Sequence, residues 1–161
     1  MVTLREHRET IEELLEIFRH EYYVYSPELF ELRIREERLR ADLLQGSFSY
    51  VELGFEQIFT EELTQSELKP LWRSLMQAMR LLVRGSDVKG FLKDDRGIGI
   101  LFLDTTNPPI SRLFAAFRRH LTSADLSHRL RSDLNLQEIT TWIYTGVPLP
   151  SKEVEAQEEE A

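Results

Sequence analysis

The chain has no cysteine. That excludes a disulfide framework, a thiol nucleophile and any cysteine-ligated metal. Histidine is scarce too. His7, His20, His120 and His128 show no metal-ligand spacing beside an acid. No apolar run approaches the roughly 20 residues that cross a bilayer. Met1 to Arg8 lacks the apolar centre of a signal peptide. Basic residues are in deficit, 20 against 28 acidic ones, for a net charge of −8. Nucleic-acid binding needs positive surface to displace counterions and is disfavoured. There is no Walker-type glycine loop and no serine, histidine and acid arrangement. Gly97-Ile98-Gly99 is too short for a phosphate cradle and reads as relief of crowding in a strand, or as a bulge. The simplest reading is a soluble cytoplasmic protein with no membrane segment, metal or cofactor.

What remains is ample for one domain: 161 residues, 42% hydrophobic. Three stretches are expected. Residues 1–25 hold an amino-terminal helix and an aromatic connector, 26–150 the folded domain. Residues 151–161, with five glutamates and one lysine, form an acidic disordered tail.

Ile11, Leu14, Leu15, Ile17 and Phe18 give Thr10 to His20 one helical face. That helix either folds back onto the domain or pairs with another chain, and Tyr22-Tyr23-Val24-Tyr25 after it has the composition of an interface. Ser26-Pro27 starts a second helix, with a hydroxyl N-cap and proline in the first turn. It runs to about Leu44, stops at Gly46, and its Arg/Glu-rich middle demands a solvated face. Phe48 to Phe55 reads as a strand. Ser66 to Val83 is the clearest helix, with Trp72, Met76 and Met79 assigned to the core. Asp87–Leu92 and Ile98–Leu103 flank a charged turn and read as a hairpin. A helix follows Asn107-Pro108-Pro109, and a last strand spans about Leu136 to Tyr144. Helix, β, α, hairpin, α, β predicts an α+β, ferredoxin-like fold with a mostly antiparallel sheet and packed helices.

Arg84-Gly85-Ser86-Asp87-Val88, the hairpin, and Leu103-Asp104-Thr105 follow one another in an order that resembles the GGDEF (diguanylate cyclase) family, of nucleotide-cyclase fold. The likeness covers about Phe30 to Pro148. It implies a metal-binding aspartate at the end of the first strand, where this chain has Gly54. It implies a Gly-Gly-Asp/Glu-Glu-Phe turn. Counted forward from Asp87 that turn is Lys93-Asp94-Asp95-Arg96-Gly97; counted back from Asp104-Thr105 it is Asp94 to Ile98. Neither register restores the motif, and the difference suggests an insertion in the hairpin. Phosphoryl transfer needs carboxylates holding Mg²⁺ on the nucleotide phosphates, so no catalytic residue is assigned. The resemblance therefore implies a degenerate, non-catalytic domain, a regulatory or protein-interaction module in bacterial signalling or exopolysaccharide-related processes. Arg84 and Asp87 match the family's Arg-x-x-Asp product site, which implies a cyclic-di-GMP or nucleotide receptor as the alternative. Asp87 capping the strand and pairing with Arg84 is the plainer role. A third reading is an unrelated α+β domain that oligomerises through the Thr10–Phe18 helix.

Overall fold

A computed structural model describes residues 1–18 and 23–146. His20, Tyr22, Pro148 and the acidic segment 151–161 lie outside the described residues.

The elements, in order, are α1 (Leu4–Phe18), α2 (Pro27–Leu44), β1 (Ser47–Gly54), the single turn α3 (Phe55–Ile58), α4 (Gln65–Leu82), β2 (Val88–Phe91), β3 (Gly97–Leu103), α5 (Ile110–Ser123) and β4 (Thr141–Thr145). The four strands form one sheet in the order β2-β3-β1-β4, antiparallel throughout. The expected α+β sheet with packed helices is the observed architecture.

β1 and β3 carry the sheet. Their register runs from Phe48 opposite Leu103 to Gly54 opposite Gly97 without a bulge. Period two then sorts the side chains between faces. Val51, Leu53, Ile98, Ile100 and Phe102 meet α4, α5 and α1. Phe48, Tyr50, Leu101 and Leu103 meet α2, with Trp142 and Tyr144 of β4 beside them. Trp72, Met76 and Met79 are buried in the larger core, as their period requires. On the other face Phe30 fills the space over Gly90 and Gly99, paired across β2 and β3. A Cβ on Gly90 would lie 2.1 Å from its ring and one on Gly99 2.5 Å. Crowding, not a bulge, explains the glycines here.

Four boundaries differ from the sequence reading. α1 begins at Leu4 because Thr3 and Glu6 cap each other: Glu6 N–H donates to Thr3 Oγ1 (3.1 Å) and Thr3 N–H to Glu6 Oε1 (3.2 Å). α2 has its expected Ser26 cap, Leu29 N–H donating to Ser26 Oγ over 3.3 Å. It stops on Gln45, left-handed at φ 51°, and not on Gly46. Residues Leu136–Glu138 form a 3₁₀ turn, so β4 starts only at Thr141. The first strand ends at Gly54, and Phe55, expected as its last residue, starts the single turn α3.

α1 folds back. Ile11 and Leu14 are buried against the core, with Leu15 and Phe18 packed at its edge, while Ile17, expected on the same face, stays exposed.

Candidate functional site

The turn between β2 and β3 is built from charge. Leu92 N–H donates to Gly97 O over 2.9 Å, leaving Lys93–Arg96 to make the reversal. Asp94 and Asp95 are both left-handed, φ 61° and 56°. Aspartate tolerates this conformation better than most side chains, and glycine adopts it freely. In the register counted back from Asp104-Thr105, these two aspartates hold the positions of the motif's two glycines.

Among the described residues, each charged turn residue but Asp94 has a partner on a different element. Lys93 pairs with Glu31 of α2 over 2.9 Å, and Asp95 accepts from Arg8 of α1 over 2.9 Å. Arg96 forks onto Glu52 of β1 with bonds of 3.0 and 2.9 Å. Tyr50 O–H donates to the same carboxylate over 2.5 Å. Burial opposes the charged form of Glu52, but the hydrogen bonds from Arg96 and Tyr50 outweigh it and hold the carboxyl below its usual range. Burial, and then the bond to Glu52, push the Tyr50 phenol upward.

Gly54 lies beside the turn, across from Gly97. The two glycines differ in kind. A Cβ on Gly97 would lie 2.2 Å from Leu53 O, so the strands approach too closely for any side chain. A Cβ on Gly54 would be in ordinary contact with Gln57 at 3.7 Å and with the Arg96 carbonyl oxygen at 3.9 Å. The space for a carboxylate exists there; the residue does not supply one. Among the described residues, no three His, Asp or Glu side chains gather as metal ligands.

Arg84 and Asp87 sit at the other end of the hairpin and are brought together. The Asp87 side chain is fully buried, and Arg84 is 56% exposed. Asp87 accepts from Arg84 N–H (2.9 Å), from the Arg84 guanidinium (3.0 and 3.2 Å) and from Leu103 N–H (2.9 Å). Arg84 also donates to Leu103 O. The pair is a clasp closing the entrance to β2 onto the end of β3.

Sequence reasoning missed His7. It is buried, stacked on Phe55 and Phe59 at 4.7 and 5.1 Å between centroids, and accepts from Trp72 Nε1 over 3.0 Å. Burial lowers its pKa to about 4, against the smaller opposing pull of Glu6. Its neighbour Arg8 caps the Phe91 ring at 4.9 Å while holding Asp95. A cleft of about 390 Å³ opens beside His7, between α1, α3 and Arg131. His7, Ile11 and Leu14 share one helical face, which was the available signal. His120 showed no such link; it falls in the last turn of α5.

The fold and the turn thus define a mixed α+β domain whose hairpin end is closed by ion pairs and covered by its first helix. No family model matches the chain, and no curated protein matches it. Among solved structures it is similar to a diguanylate cyclase protein from Thermotoga maritima, at 13% identity and TM-score 0.46, over 76% of this chain and 79% of that one. It is similar also to the coiled coil and GGDEF domain of DgcB from Caulobacter crescentus, solved with c-di-GMP: 13% identity, TM-score 0.47, 84% of this chain and 74% of that chain. The diguanylate cyclase SiaD from Pseudomonas aeruginosa, solved with its activator SiaC, gives 10% identity, TM-score 0.46, and 98% and 63% coverage.

Proposed function

We propose that this chain is a GGDEF-like domain without cyclase chemistry, acting as a regulatory or protein-interaction module in bacterial signalling or exopolysaccharide-related processes. One observation carries the reading. Of the acids in and beside the turn, Asp95, Glu52 and Glu31 each pair with a cation of the same chain. That leaves Asp94 as the one carboxylate there without an ion pair among the described residues, and one carboxylate alone is a poor Mg²⁺ site. Carboxylates committed to guanidinium and ammonium partners cannot also compensate a divalent cation and nucleotide phosphates without giving those partners up. Gly54 offers no ligand, and two charged side chains stand where glycine would let phosphates reach the backbone. Incubation with GTP and Mg²⁺ is expected to yield no cyclic di-GMP. Turnover that disappears in Asp95→Asn would overturn the reading.

A receptor role remains as the second reading, because the outer face of the Arg84 guanidinium is open to solvent. Arginine in that setting forks a phosphate or a guanine edge. Asp87, fully buried and saturated with donors, would contribute only by holding Arg84 in place. Calorimetry with cyclic di-GMP decides: heat that vanishes in Arg84→Ala supports the receptor, and no heat with the unaltered chain discards it.

A further inference from the structure

The cleft beside His7 has no part in the function proposed above. It holds about 390 Å³, within the roughly 300–1,000 Å³ of small-ligand pockets. Val2, Phe55, Phe59 and Leu63 give it apolar walls. Two polar groups interrupt them, and each is held in place with donors to spare. His7 is only 4% exposed. Its Nδ1 accepts from Trp72, so the proton sits on Nε2, and that N–H has no partner among the described residues. A donor enclosed in this way is costly to leave unmade. Arg131 is pinned to α3 twice, its backbone N–H donating to Ile58 O over 2.8 Å and its Nε to Glu56 O over 2.9 Å. The two terminal nitrogens of its guanidinium make no ion pair among the described residues.

We propose that this cleft binds a small monocarboxylate with an apolar body. The carboxylate takes the Arg131 guanidinium and the His7 Nε2–H, and the body lies along the Phe55 and Phe59 wall. Charge selects the ligand. One guanidinium and one neutral imidazole N–H, kept neutral by burial, match a single negative charge. Glu56 and Glu61 are exposed and also line the cleft. Their like charge opposes a phosphate dianion or a polyphosphate, so the site is set against nucleotides. The apolar wall then asks for a hydrocarbon or aromatic body in place of a sugar. Arg84 does not line this cleft. The inference is therefore independent of whether cyclic di-GMP binds there, and the two readings fail separately.

The two tryptophans supply the readout. Trp72 bonds the His7 ring, while Trp142 lies on the opposite face of the sheet. Benzoate, phenylacetate and hexanoate are titrated into the full chain at neutral pH, and the indole N–H signals are followed by proton–nitrogen NMR. At least one of the three should move the Trp72 signal saturably and leave Trp142 in place. Phenylacetamide and benzamide, which lack the charge, should bind at least about tenfold more weakly than their acids. Arg131→Gln should weaken carboxylate binding by about tenfold or more, and Arg131→Lys should recover part of it. Arg119→Gln, which removes an exposed cation of α5, should change nothing. Should Arg131→Gln unfold, Val2→Trp fills the cleft instead and should abolish the shift. The proposal is overturned if no carboxylate moves Trp72 at millimolar concentration, or if both indole signals move together. It is overturned equally if the amides bind as well as the acids, if neither Arg131→Gln nor Val2→Trp weakens binding, or if Arg119→Gln weakens it as much.

Discussion

The indole N–H of Trp72 donates to Nδ1 of His7 over 3.0 Å, joining α4 to α1 inside a cage of aromatic rings. The bond fixes the neutral tautomer with its proton on Nε2, since Nδ1 must accept. Protonation of His7 would remove that acceptor and place a charge among apolar rings.

Stability is therefore expected to depend on pH through His7. Its folded pKa, about 4, lies below the ordinary 6.5. Between those values the unfolded chain binds the extra proton, so stability is complete above about pH 6.5 and is lost progressively as pH falls toward 4. The span corresponds to something on the order of 3 kcal/mol. Urea melts of wild type and His7→Phe between pH 7 and 4 should show that dependence flattened in the variant. At pH 7 the variant should be weaker by about 1–3 kcal/mol, because a buried indole N–H is left unpaired.

Gly90→Ala should destabilise strongly. The added methyl would press on Phe30 at 2.1 Å, and overpacking of this kind costs about 1–3 kcal/mol or more. Combining it with Phe30→Leu should recover part of the loss, because a smaller side chain frees the space. Gly54→Ala, with nothing nearer than 3.7 Å, should stay within about 1 kcal/mol of wild type. Equal costs for the two glycines, read as urea midpoints, would contradict the packing described.

The Arg84–Asp87 clasp should be asymmetric. Asp87→Ala removes the acceptor for Leu103 N–H and for Arg84 N–H, and should cost about 2–4 kcal/mol. Arg84→Ala removes a half-exposed group and should cost about 1 kcal/mol or less. Thermal unfolding of the two variants side by side is sufficient to tell.

Glu52, Arg96 and Tyr50 should behave as one unit. Arg96→Ala and Tyr50→Phe each withdraw a donor from the same carboxylate, so a double-mutant cycle should return about 0.5–1.5 kcal/mol of coupling. Glu52 titrates below its ordinary range in the folded chain. Its contribution is present above the usual carboxylate pKa and is lost as pH falls through the depressed value. Glu52→Gln should remove that acid-side loss.

Much of the fold was legible in local pattern. The spacing of Leu68 to Val83 predicted α4 and its buried Trp72. Ser26-Pro27 marked the start of α2, and two apolar runs around a charged turn marked the hairpin. These signals survive because helix and strand periods are set by backbone geometry within a few residues. Of the candidate site, Gly54, Arg84, Asp87 and the charged turn Lys93–Arg96 were legible as residues, but the elements each of them would bond were not. α2 shows the limit from the other side. Its dense Arg and Glu announced a solvated face, and the exposure of Leu29, Leu32, Leu39 and Leu43 on that helix went unread.

The sequence determined the order of the main helices and strands, the Ser26 cap of α2 and the glycine at position 54, since each depends on neighbours along the chain. The tertiary structure decided who partners whom: Arg8 with Asp95, Lys93 with Glu31, Arg96 with Glu52, and Trp72 with His7. Those pairs join residues many positions apart. Charge and size allow each of them several partners, and only the packing of α1, α2 and α4 around one sheet brings these distant partners within hydrogen-bond range.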